Sequence, residues 1–302
     1  MTTCVAALCC DGKAIVLAAD KMIGFGYVES EPDISKIRKI HKNWRVLVAG
    51  NGVEPAFAVI DAARAKLANV PAPTLDVVID AMESAYQDKR MHDAEALFLA
   101  PIGWTRDQFR RESFALLGDV TASQIRDSIE RFEYEMDLLV AGFDDHGEGH
   151  IFSVTSEARG IAARHDLGFH AVGSGETNAR FIMAHRRVAP KMVLREALFY
   201  ALEGKYYGEL ASGVGLRTDI VVMRPDEDDL LVHEDNVDTL MSKICEQVDP
   251  RELMDRHVRL LNAIPELEGI PEMTLPSVRK KAEQAEQKER ERWSKNPPYT
   301  QK

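Results

Sequence analysis

The residues whose types could do chemistry begin at the second position. A chain that opens Met1-Thr2-Thr3 is suited to initiator removal, because a small second residue leaves the amino end accessible to the processing peptidase. The product would carry a nucleophile and a base in one residue. An α-amino group, with an unperturbed pKa of roughly 7.7–8.0, can take the proton of the threonine's own hydroxyl, directly or through water. No histidine is then needed, and the chemistry is acyl transfer to a carbonyl. Thr at position two is common by itself, so the reading depends on its company: Asp20 at the end of LAAD, Lys36 in SKIRKI and Gly50 in VLVAGNG.

The elements that must position these residues are legible as periodicities. Thr3 to Cys9 and Ala14 to Ala19 read as two strands around an Asp11-Gly12 turn, a hairpin at the N-terminus. Ile37 and Ile40, the turn-like 41–43, and Trp44 to Ala49 give another strand pair, ending at Gly50-Asn51-Gly52. Phe57, Ile60, Ala63 and Leu67 keep helical spacing from Pro55, and a second helix starting at Thr74 carries Val77, Val78, Ala81, Met82 and Ala85. Residues from about 89 to 119 read as an insertion, with Ala94 to Ala100 open between strand and helix. After a helix ending near Tyr134, Asp137–Phe143 and His150–Thr155 flank a turn. Phe169–Gly173, helices over about 177–187 and 190–203, and a strand Thr218–Met223 complete the order. Strands, helices, strands, helices and a strand fit an α+β chain folded as two sheets between helical layers, the four-layer αββα sandwich. The expected domain covers residues 1–225. Beyond Pro225 an acidic loop, prolines and the charged run Val278 to Trp293 read as a charged helical extension over 226–302.

Two further segments extend the set of candidates. AVGSGE holds Ser174, and ELASGVG holds Glu209 and Ser212. Taken in order, Thr2, Asp20, Lys36, Gly50, Ser174 and Ser212 resemble the proteasome β-type family of N-terminal threonine hydrolases. The resemblance spans roughly Thr2–Leu67 and Asp137–Met223, with the first hairpin longer by about two residues. It implies that Thr2 is the nucleophile, that Lys36 is the cation beside its hydroxyl and that Asp20 orients Lys36. It also implies that the Gly50 N–H donates to the oxyanion, a contribution of roughly 3–4 kcal/mol in comparable sites. Glycine there suits the close approach of a substrate backbone. Ser174 would match the serine of the family's GSG turn, Ser212 the serine that helps to hold the free amine, and Glu209 the acidic support three residues before it. The family usually has aspartate where Glu209 stands, an arginine at Met22 and a threonine at Gly24.

By the same matching, Ile23, Gly24, Ile34, Val48, Gly52 and Ala56 would bind substrate, with small to medium apolar side chains favouring uncharged residues. The resemblance further implies a peptide or unfolded polypeptide as substrate, a homo-oligomeric ring or stacked rings with an unfoldase partner left open, and no metal or organic cofactor. Two other functions remain open: an amidase or transpeptidase for a small substrate, and a catalytically silent scaffold subunit.

A net charge of −11 argues against a broad phosphate-binding surface, and nucleic acid is not expected as a partner. Apolar runs are interrupted well short of a membrane span and no basic segment precedes the first, so a cytoplasmic protein is expected. Cys4, Cys9, Cys10 and Cys245 lack metal or disulfide spacing and read as free thiols. Asp144, Asp145, His146 and His150 read as a polar hairpin tip, and His165, His170 and His185 as ordinary packing. Gly173–Gly175 lacks the further residues of a nucleotide-binding loop.

Overall fold

The first strand, β1 (Cys4–Cys9), and the second, β2 (Ala14–Asp20), are buried at every residue. Small and branched apolar side chains on both faces make this possible, because each face of the hairpin meets a different core. Val5, Ala7, Val16 and Ala18 face helices, whereas Cys4, Ala6, Leu8, Ile15 and Leu17 face a second sheet. The turn between them takes left-handed backbone at Cys10, Asp11 and Gly12. It is tied down by the Cys10 and Asp11 N–H groups donating to Met192 and Pro190 carbonyls.

The computed structural model describes residues 2–25, 28–32, 34–50, 53–155, 162–163, 167–211, 213–232 and 237. A short ribbon of β3 (Ile23–Phe25) and β4 (Val28–Ser30) follows the hairpin. Next come β5 (Ile37–His41), β6 (Trp44–Gly50), α1 (Val53–Leu67), α2 (Leu75–Phe98) and α3 (Arg106–Arg131). The chain continues through β7 (Met136–Phe143), β8 (Gly149–Val154), β9 (Ala162–Ala163), β10 (Phe169–Val172), α4 (Glu176–His185), α5 (Leu194–Gly208), β11 (Thr218–Met223) and β12 (Leu230–Val232).

Among the described residues, besides the β3–β4 ribbon, two antiparallel five-stranded sheets form, ordered β10-β1-β2-β11-β12 and β5-β6-β7-β8-β9. Leu17, Leu47, Leu139 and Phe143 are among the side chains that fill the space between them. Helices α4 and α5 supply Met183, Leu198 and Leu202 to the outer face of the first sheet. Helices α1 and α2 supply Ile60, Met82 and Tyr86 to the outer face of the second. The fold is thus α+β, with two sheets face to face and a helix pair outside each.

Several expectations change. The 89–119 segment is helical for most of its length: α2 runs unbroken to Phe98, so Ala94 is helical, and α3 crosses residue 119. Thr74 and a Thr105–Gln108 capping box start these helices, and α3 breaks its helical backbone at Gly118. Val77, placed with the buried residues by spacing, is 39% exposed. The last long helix starts at Leu194 rather than Pro190 and continues to Gly208. Pro225 is not the end of the sheet, since β12 pairs with β11 beyond it. The Val278–Trp293 run lies outside the described residues.

The polar hairpin tip closes on itself. Asp144 Oδ1 accepts the N–H groups of His146 and Glu148, and Oδ2 lies 2.9 Å from His150 Nε2. That geometry is a capped turn.

Candidate active site

Thr2 stands two residues before β1, Asp20 ends β2, and Lys36 immediately precedes β5. The hairpin register pairs Cys4 with Ala19, which brings Thr3 opposite Asp20. Asp20 N–H donates to the Thr3 carbonyl at 3.2 Å, and Thr3 N–H returns a bond to Asp20 Oδ1 at 2.8 Å. Lys36 arrives from the second sheet, its carbonyl held by Val48 N–H at 3.1 Å. The site is therefore assembled where corresponding ends of the two sheets meet.

There Lys36 Nζ donates to Thr2 Oγ1 at 2.6 Å and to Asp20 Oδ2 at 3.0 Å. All three residues are buried, at 2%, 3% and 0% exposure for Thr2, Lys36 and Asp20. The carboxylate of Asp20 also accepts the N–H groups of Met22 and Gly215. A cation fixed against a hydroxyl by a fully bonded carboxylate places positive charge where an alkoxide would develop.

Ser174 follows β10 and contacts the other side of Thr2. Thr2 N–H donates to Ser174 Oγ at 3.1 Å, and the serine hydroxyl donates to the Thr2 carbonyl at 3.3 Å. Gly175 N–H reaches the same carbonyl at 3.3 Å. Gly173 makes this contact possible: its φ is +95°, and a Cβ there would lie 2.3 Å from the Thr2 carbonyl oxygen and 3.1 Å from Ala49 Cβ. Residue 49, just before Gly50, is thereby packed against the same glycine as Thr2.

No protein-family model and no curated protein matches the chain.

Gly50 has a physical reason to be glycine besides substrate approach. Its φ is +102°, and a Cβ would sit 2.2 Å from the Glu135 carbonyl oxygen and 2.7 Å from Met136 Cα. The β7 backbone demands glycine there.

Glu209, expected to support the free amine, is engaged by a lysine of α5. Its carboxylate accepts a bond from Lys205 Nζ at 2.5 Å, within a network around the 213–217 segment. Ser212 and Gly52 lie outside the described residues. Of the apolar candidates for substrate contact, Val48 and Ala56 belong to the closed core under α1 and Ile23 is buried, while Ile34 is 40% exposed. Gly24 pairs with Glu29 in the β3–β4 ribbon.

Thr3 and Gly215 bond to Asp20, Gly173 packs against Thr2, and Lys205 bonds to the 215–216 carbonyls; Thr3, Gly215 and Lys205 were not among the candidates drawn from the sequence. Lys205 carried a usable signal, a lysine four residues before a glutamate at a helix end. The Thr3 contribution comes from a backbone N–H group, which leaves no trace in residue type.

Cys4 lies beside the site, its Sγ 3.4 Å from the Val48 carbonyl oxygen. Burial pushes this thiol well above its ordinary range, against the smaller opposite pull of Lys36. It is a neutral packing group there. Among the described residues, no helix is long and apolar enough to cross a membrane.

Proposed function

We propose that the protein is an N-terminal threonine hydrolase in which Thr2, freed by removal of Met1, attacks an amide carbonyl. The observation that carries this reading is the 2.6 Å contact from Lys36 Nζ to Thr2 Oγ1, with Asp20 behind it. Ser174, 3.1 Å from the Thr2 nitrogen, supports the amine as the base. The paired sheets with outer helices support a four-layer αββα sandwich of the N-terminal-nucleophile type, and the ordered motifs support kinship with proteasome β-type chains.

In this mechanism the α-amine takes the proton of Oγ1, directly or through a water, while Lys36 stabilises the developing alkoxide. Oγ1 adds to the carbonyl, and the Gly50 N–H is assigned to the oxyanion. The C–N bond breaks as the departing amine takes the proton from the α-ammonium. Water then attacks the ester with the α-amine as base, releasing the acid and restoring the hydroxyl. A peptide or unfolded polypeptide in a homo-oligomeric ring is the substrate and setting that the resemblance favours. A second reading, a silent ring subunit, draws on Glu209 and Met22, which stand where the family usually has an aspartate and an arginine.

Intact mass of the protein before and after an epoxyketone peptide, with Thr2→Ala alongside, tests the choice. Loss of Met1 and one adduct absent from the variant is the expected result. Retained Met1 without an adduct would favour the silent subunit.

A further inference from the structure

Helix α5 ends against the site in a way that the proposed chemistry does not use. Lys205 is fully buried, yet its ammonium is not spent on the charge pair alone. Besides Glu209, it donates to the carbonyls of Gly215 and Leu216 at 2.8 and 3.0 Å. Three donors on one ammonium are thus directed at Glu209 and the 215–216 backbone.

The same backbone reaches the other way. Gly215 N–H donates at 3.1 Å to Asp20 Oδ2, the oxygen that also holds Lys36. Arg217 N–H and its guanidinium bond to Glu31, which secures the segment on its far side. Gly215 fits because it has no side chain: a Cβ would lie 2.2 Å from Glu31 Oε1 and 2.9 Å from the Met22 nitrogen. One peptide unit away from Lys205 is therefore a donor to the residue that orients the catalytic cation.

We propose that Lys205 and Glu209 are a positioning pair for the Thr2 site, fixing the 215–216 backbone so that Gly215 N–H and Lys36 share Asp20 in the geometry that aims Lys36 at Thr2. This rests on the reading of Thr2 as nucleophile. Neither residue touches substrate, and Glu209 serves the loop rather than the amine. A lysine with no exposure is costly to bury and is retained here with all its donors committed. Burial lowers its pKa and raises that of Glu209, so either can shed its charge when the partner is removed.

The test uses the full chain and an epoxyketone peptide, following adduct growth at Thr2 across probe concentration by mass. Lys205→Met retains the stem volume and removes the ammonium, and Glu209 can then take up a proton. Lys205→Met with Glu209→Leu is a second variant that leaves no buried carboxylate should the first not fold. The expected result is a fall in the maximal rate of about tenfold to a hundredfold, with little change in the half-saturating concentration, because reactive geometry is lost and binding is not. Hydrogen exchange at residues 213–217 should quicken in the same variants. A folded variant that reacts at the wild-type rate would overturn the positioning role while leaving Thr2 as nucleophile. A wild-type protein that forms no adduct would overturn the nucleophile reading itself and this inference with it.

Discussion

Lys36 and Lys205 are both buried, and both pair with a carboxylate, Asp20 at 3.0 Å and Glu209 at 2.5 Å. They differ in what else they hold. Lys36 spans two sheets and directs its charge at a hydroxyl, Thr2 Oγ1. Lys205 bonds within its own helix end and to two backbone carbonyls that follow it. Asp20 differs from Glu209 in the same sense, since it accepts backbone N–H groups from Thr3, Met22 and Gly215 as well as its lysine. Under the proposed chemistry the same pairing would serve reaction in one place and posture in the other, and the further partners of each ammonium separate the two.

The sharpest way to break this comparison is to remove one lysine at a time. Lys36→Met should lower the rate of Thr2 modification by about 10²–10³-fold, the scale of losing a charge-stabilising donor, and so more than Lys205→Met. Equal losses measured by the same mass assay would erase the distinction.

Replacing each pair by apolar residues separates them by stability. Lys205→Met with Glu209→Leu should cost about 1–2 kcal/mol, because apolar side chains can replace a buried ion pair but the Gly215 and Leu216 carbonyls lose their donor. Lys36→Met with Asp20→Leu should cost about 3 kcal/mol or more, because the amides of Thr3, Met22 and Gly215 lose their acceptor. Urea denaturation midpoints at fixed m-value read both.

The smallest effect concerns thiols. Cys4, beside the Lys36 pair, and Cys9 are buried, whereas Cys10 is exposed. A hydrogen bond from Cys9 pulls the Cys10 thiol down to about 6, helped by the Leu194 N–H at the start of α5. The same Cys9–Cys10 hydrogen bond, followed by burial, pushes Cys9 up. The Cys10 thiolate therefore persists down to mildly acidic pH, and its iodoacetamide labelling should be half-maximal near pH 6, below the range of a free cysteine. Peptide-resolved labelling that places the midpoint above pH 8, or finds Cys4 equally reactive, would contradict the contrast between the two positions.

Much of the framework was legible because it is local. The β1–β2 and β5–β6 hairpins and the cores of α1 and α2 follow from side-chain period and turn residues. The failures were local signals overruled by packing. Ala94–Ala100 lacked a clear period because α2 is gripped on only part of its length, and Val77 matched a period but faces outward. The strand β12 is too short to announce itself and exists through its pairing with β11.

By itself the sequence determined the order of strands and helices, where the chain turns, and which residues could act: Thr2, Asp20, Lys36, Gly50, Ser174, Glu209 and Ser212. The tertiary structure decided that Lys36 meets Thr2, that Gly50 is required by the β7 backbone, and that Glu209 serves a loop through Lys205. The physical reason is range. Periodicity reports the environment of one element, whereas these contacts depend on how two sheets and the end of α5 come to rest against one another.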